Sequence, residues 1–199
     1  YFQHVPYLET YTGAVKLFAS VKVHYEPLGI YKGKESNDLY TGSTSVAICN
    51  DESNAIRALE LLAAKGFIGG KLPIGEDGKL TINGSTWLSP NNVQVTLIAE
   101  ELLVASMADY DFVCLPCNTA LTGNVDETLK VAKEDDAELV AGKANVLAAR
   151  VEDYQNDEVY KAKIDALTDA LLSKAVSDYV NEKWGGAITC DSSSQIDLR

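Results

Sequence analysis

Four groups of side chains in this 199-residue chain are placed where they could do chemistry. Cys114-Leu115-Pro116-Cys117 is a CxxC dithiol between a strand-like run, FVCLP, and a helix-like one, NTAL, the setting in which such a pair becomes redox active. The alternative is two small core residues, because the chain carries no other mark of a thioredoxin arrangement. Arg57 follows Asn54 by three residues, so on a helix the two share one face near free amide groups and the positive end of the dipole. A guanidinium fork there suits the carboxylate of a small anionic ligand, and the competing reading is a solvated surface arginine.

The third group opens the chain: Tyr1, Phe2, His4 and Tyr7, with Pro6 among them. These rings could be core, yet a polar-tipped His4 and Tyr7 around Phe2 resemble a pocket wall more than a dry interior. The fourth is the histidine pair, His4 and His24, neither of which has a cysteine or carboxylate at metal-ligand spacing. No metal site is expected, and no cofactor. A histidine-dependent nucleophile is equally unsupported, since no serine lies in a GxSxG turn.

Composition narrows the partners. Seventeen basic against 29 acidic residues leave a net charge of −12, a field that repels phosphate backbones and argues against nucleic acid. Hydrophobic content of 46% beside 23% charged residues is that of a folded domain with an extensive core. No apolar run is long enough to span a bilayer, and the start of the chain lacks the basic-then-apolar pattern of a signal peptide. Four cysteines are too few and too spread for a disulfide scaffold.

The elements that must hold these residues alternate. AVKLFASVKVHY reads as a strand followed by a second short one, LGIY, and then by a polar, turn-rich linker, KGKESNDLYTGST. SVAIC is a strand leading into a helix over about 53–65, with Ile56, Leu59 and Leu62 at helical spacing and Gly66 as its terminator. A hairpin is expected around Glu76-Asp77-Gly78. VQVTLIA reads as a strand, EELLVASM as a short helix, FVCLP as a strand, 127–138 as partly helical, and ANVLAARV as a strand. The apolar period over 158–184 predicts one long amphipathic helix, and the polar tail after Gly185-Gly186 is expected to fray. The class is α/β, with parallel strands joined by right-handed crossovers.

Taken in order, FQHVPYLET, VHYEPLGIYKGK, VAICNDESNAIRALELLAAKGFI, CNTALTGN, NVLAARVED and a terminal helix ending in WGGA resemble the segments of the NlpA lipoprotein family, which includes the methionine-binding, MetQ-type proteins of ABC importers. FQHVPYL and the ND-x-x-N-x-x-RAL pattern are the most specific of these.

The resemblance implies a two-lobed, type II periplasmic-binding-protein fold, with 1–35 plus 143–199 as the first lobe and 36–142 as the second. It implies an extracytoplasmic protein, lipid-anchored at its N-terminus, that closes on a free amino acid, most simply methionine, and delivers it to an ABC importer permease without acting as an enzyme. Phe2, His4 and Tyr7 would wrap the thioether, Arg57 with Asn54 beside it would hold the carboxylate, and Asn118 and Asn145 would complete the polar cage. Arg57→Ala is expected to lose binding and keep the fold. Relative to the family the first lobe lacks its early strands and helices, and an open sheet edge is expected there. A thiol–disulfide oxidoreductase using Cys114 and Cys117 is the alternative function.

Overall fold

The computed structural model describes residues 2–33, 43–135 and 142–199, with the side chains of Phe2, Gln3, Pro6, Tyr7 and Thr10 left aside. The chain divides into two compact units, Tyr1–Pro27 with Asp135–Arg199, and Leu28–Glu134.

The second unit is built on a six-stranded sheet. Its strands are β3 (Leu28–Lys32), β4 (Thr44–Cys49), β5 (Ser85–Leu88), β6 (Val93–Ile98), β7 (Phe112–Pro116) and β8 (Lys130–Lys133), in the order β5-β6-β4-β7-β3-β8. β4 runs parallel to both β6 and β7, as alternation with helices requires. β3, β5 and β8 add antiparallel pairings that the expected all-parallel arrangement did not include. Buried on both sides, β4 reads as a continuous apolar run rather than an alternating one.

Helices leave the ends of these strands: α2 (Glu52–Ala64) after β4, α3 (Glu100–Leu103) after β6 and α4 (Cys117–Thr122) after β7. The first helix of the chain, α1 (Val5–Thr10), belongs to the other unit. Asp51 caps α2 by accepting the Asn54 N–H at 2.9 Å, and Gly66 at φ +79° ends it. α2 lays Ala55, Ala58, Leu59 and Leu62 on Ile30, Val46, Ile48, Val95 and Phe112, while Phe67 meets Phe112 edge to face at 5.1 Å. Between α2 and β5 an isolated bridge from Ile74 to Leu80 closes the expected hairpin.

The first unit carries an antiparallel sheet ordered β1-β9-β2-β10, from β1 (Phe2–His4), β2 (Leu17–His24), β9 (Asn145–Arg150) and β10 (Ile196–Asp197). Its helices are α1, α5 (Val151–Asn156), α6 (Glu158–Leu171) and α7 (Lys174–Trp184). Leu171 and Leu172 pack on Val21, Val23 and Leu147. The Thr168 hydroxyl donates to Ser20 Oγ at 3.0 Å, and Ser20 Oγ to the Leu147 carbonyl at 3.3 Å, so this buried polar chain is satisfied.

Four expectations need correction. The helix over 158–184 is two helices, broken at Leu172-Ser173. There the Gln195 amide donates to the Leu171 carbonyl at 2.7 Å, taking an acceptor that a continuing helix would have used. The tail does not fray: Thr189 and Tyr25 exchange backbone hydrogen bonds at 2.8 Å, Ile188, Cys190 and Ser194 are buried, and β10 pairs with β2. LGIY is not a strand of the first lobe but β3 of the second unit, because both its edges are paired, to β7 and β8. The chain therefore crosses between units at 27/28 and 134/135, rather than near 35 and 143. Finally, 127–133 holds one 3-10 turn (Glu127–Leu129) followed by strand β8. The rest of that expected helix lies partly in 136–141, outside the described residues, as does most of the expected linker.

Candidate ligand-binding site

In the second unit the candidate residues gather where parallel strands end and helices begin, the edge at which open α/β sheets bind ligands. Arg57 lies on the inner face of α2 and is 8% exposed, which rules out the solvated-surface reading. Its Nη1 donates to Asn54 Oδ1 at 3.2 Å, as the three-residue spacing anticipated. Another partner, a carboxylate, left no local sign in the sequence. Nη2 donates to Glu134 Oε2 at 2.7 Å and Nε to Oε1 at 3.3 Å, a two-point pairing with a carboxylate 77 residues away. Glu134 Oε2 also accepts the Leu28 N–H at 2.9 Å, so the carboxylate is fixed from two sides.

Asn118 stands in the first turn of α4. Pro116, two residues before it, is the register partner of Leu28, which places α4 at the same end of the sheet as Glu134. Asn118 Oδ1 is buried and has no hydrogen-bond partner among the described residues. Such an acceptor costs free energy until a donor reaches it, and orphans of this kind call for an explanation.

In the first unit the strand register sets three polar side chains in a row. His4 on β1 and His24 on β2 are both Cα partners of Asn145 on β9, so all three share a face of the sheet. Asn145 Nδ2 lies 3.2 Å from His24 Nε2, and that nitrogen lies 3.1 Å from Glu26 Oε1. His24 thus has a carboxylate beside it, two residues on in the sequence. Two residues apart on an extended chain is same-face spacing, the signal that metal-ligand spacing overlooked. His4 is half-buried, whereas the side chains of Phe2 and Tyr7 lie outside the described residues. No group of three or more His, Cys, Asp or Glu side chains able to hold a metal occurs among the described residues.

The CxxC pair has the opposite of redox character. Cys114 and Cys117 are free thiols, and both are buried. Burial pushes Cys114 far above the usual thiol range, with Glu134 adding to the shift. Cys117 is also raised by burial, even though the Tyr31 hydroxyl and Lys130 pull the other way. A redox-active dithiol needs a stabilised, accessible thiolate, and neither condition is met.

Among solved structures, the fold is that of substrate-binding lipoproteins of the periplasmic-binding-protein type. A nutrient-binding protein from Burkholderia cenocepacia, solved bound to methionine, superposes with a TM-score of 0.72 at 26% identity, covering 95% of this chain and 77% of that one. Lipoprotein Tp32 from Treponema pallidum gives a TM-score of 0.72 at 26% identity, covering 95% of this chain and 76% of that one. The sequence matches the NlpA lipoprotein family over residues 1–190, and the chain belongs to that family. A curated relative, the methionine-binding lipoprotein MetQ of Bacillus subtilis, is 30% identical over 94% of this chain and 68% of its own length.

Proposed function

We propose that this protein is an extracytoplasmic solute-binding protein that captures a free amino acid, methionine first among candidates, and passes it unchanged to the permease of an ABC importer, with a lipid as its membrane tether. The observation that carries the reading is Arg57: a buried arginine, held in plane by Asn54 and Glu134, at the strand-to-helix edge of the second unit. A zwitterion leaving water needs both of its charges satisfied. On this reading Arg57 takes the carboxylate, Asn54 lies beside it, and the buried Oδ1 of Asn118 is an acceptor for a ligand N–H. The family resemblance adds Phe2, His4 and Tyr7 for the ligand side chain and Asn145 for a further polar contact. Burying a methionine-sized chain contributes roughly 1.5–3 kcal/mol, and each charged hydrogen bond roughly 1.5–3 kcal/mol. The family membership and the methionine named for two relatives support the choice of ligand.

The test is a panel of free amino acids in calorimetry and thermal denaturation. At a hundredfold excess over Kd, ligand adds about 2.7 kcal/mol of stability, a rise of roughly 5–10 °C for a chain of this size. Methionine is expected to give that shift. Absence of response to methionine and to every other amino acid overturns the reading.

A further inference from the structure

α4 is six residues long and has no side-chain cap, yet it carries a buried acceptor that finds no partner among the described residues, Asn118 Oδ1. A helix this short does not hold itself. The unpaired oxygen adds a bias against order, since a first turn that frays, or an amide that swings out, gives it water. Burial of Cys117 and Ala120 seats one side of α4, and a polar bond holds another. The Thr119 hydroxyl, one residue after Asn118, donates to Glu100 Oε1 at 3.1 Å. Glu100 opens α3, which leaves β6, whereas α4 leaves β7, and these two strands flank β4 and run parallel to it. The bond therefore spans the end of β4, the strand that leads into α2 and Arg57. The far end of α4 closes on the same segment: a Cβ on Gly123 would stand 3.0 Å from both methyl groups of Val104, the residue after α3. We propose that Glu100 is a positioning residue: through Thr119 it pins the first turn of α4 and keeps the unpaired Asn118 oxygen in place before a ligand arrives.

This inference rests on the reading that Asn118 accepts a ligand N–H. The cost of the empty acceptor is then recovered when a donor reaches it, and only an α4 already in place recovers it in full. Without the Thr119–Glu100 bond the ligand must order the first turn as well as bind to it, and its apparent affinity falls with the fraction of molecules in which that turn is formed. What the bond needs from Glu100 is an acceptor, not a charge. A glutamine oxygen serves the Thr119 hydroxyl, and a serine hydroxyl serves Glu100. An electrostatic pull of Glu100 on the ligand would instead vanish in Glu100→Gln.

The experiment compares Thr119→Val and Glu100→Ala, which remove the bond from either side, with Thr119→Ser and Glu100→Gln, which keep it. Each is titrated with L-methionine, and Thr119→Val is titrated again in an Asn118→Ala background. The bond-removing variants are expected to bind roughly tenfold more weakly than the parent, and the bond-keeping ones within about threefold of it. In Asn118→Ala, already weakened, Thr119→Val is expected to add less than about twofold, because no oxygen is left to position. A purely structural role would give the same loss in both backgrounds. Hydrogen exchange reads the same device without ligand. The amides of Leu121 and Thr122, whose helical acceptors are the carbonyls of the first turn, are expected to exchange roughly tenfold faster in Thr119→Val than in Thr119→Ser. The proposal is overturned if Thr119→Val binds within about twofold of the parent, if its loss is undiminished in Asn118→Ala, or if the exchange rates are equal. A parent that does not bind methionine overturns the functional reading instead, and the exchange comparison then decides by itself whether Glu100 holds α4.

Discussion

Asn145 and His24 face each other across β9 and β2, with the amide nitrogen 3.2 Å from ring Nε2, although 121 residues separate them. Which partner that ring nitrogen serves depends on its proton: protonated it donates to Glu26, and unprotonated it accepts from Asn145. Asn145 is therefore a residue whose orientation is set by a histidine that does not itself need to touch a ligand. His24→Phe is expected to weaken amino-acid binding by about 1 kcal/mol, roughly fivefold in Kd, with little change in unfolding midpoint. An unaltered Kd in titration calorimetry would show that Asn145 is oriented by something else, or that it is not a contact.

Arg57→Ala, expected from the sequence to spare the fold, looks different once Glu134 is known. Removing the guanidinium takes the counter-ion from a carboxylate that is 8% exposed, and breaking a buried pair in this way costs about 3–5 kcal/mol. The single variant is expected to lose both binding and stability. Replacing both partners, Arg57→Met with Glu134→Met, is expected to recover part of the stability, because the buried Leu28 N–H then loses its acceptor, and none of the binding. Urea denaturation of the two variants checks this, and a single variant as stable as the parent would contradict it.

Alkaline pH should loosen the structure through its thiols. Cys49, Cys114, Cys117 and Cys190 are all raised by burial above the usual 9.0. Tyr31 is raised above its usual 10.0, by burial first and then by the neighbouring Cys117 thiol. Below pH 9 these groups are protonated whether the chain is folded or not, and their contribution is fully present. As pH climbs past 9, the unfolded chain ionises first and binds fewer protons than the native one, so stability falls. Urea midpoints are expected to decline from pH 9 to 10.5 and less steeply in Cys114→Ala. The same burial predicts slow alkylation of Cys114 and Cys117 at pH 8, and Cys117→Ser is expected to bind the ligand normally. Rapid labelling of the native protein would speak against this account.

The C-terminal segment offers a simple backbone test. Thr189→Pro deletes the N–H that donates to the Tyr25 carbonyl at 2.8 Å, in a segment whose neighbours Ile188 and Cys190 are buried. A loss of about 1–3 kcal/mol is expected, from the unsatisfied carbonyl and the strained fit of the ring. A frayed tail would register nothing.

What could be read from the chain beforehand was whatever is local. α2 announced itself through Asp51 and Asn54 at its start, Ile56, Leu59 and Leu62 along it, and Gly66 at its end. The Asn54–Arg57 contact followed from helical spacing. The break at Leu172-Ser173 was invisible because the apolar period runs through it, and the side chain that caps the first half, Gln195, arrives from 24 residues away. Glu134 was hidden for a stronger reason. It sits in an acidic stretch, VAKEDDAE, that looks solvated, and only the pairing of β3 with β8 carries it to Arg57. The placement of LGIY failed similarly, since a short apolar strand does not reveal which sheet will take it.

Leu28 and Glu134 are the first and last residues of the second unit, and they are joined to each other twice. The Glu134 N–H donates to the Leu28 carbonyl, and the Leu28 N–H to the Glu134 carboxylate, both at 2.9 Å. The unit is thus a loop of chain fastened at its own neck, and the fastening is the same carboxylate that grips Arg57. Anything that pulls on the guanidinium is felt one hydrogen bond later at both strands of the neck.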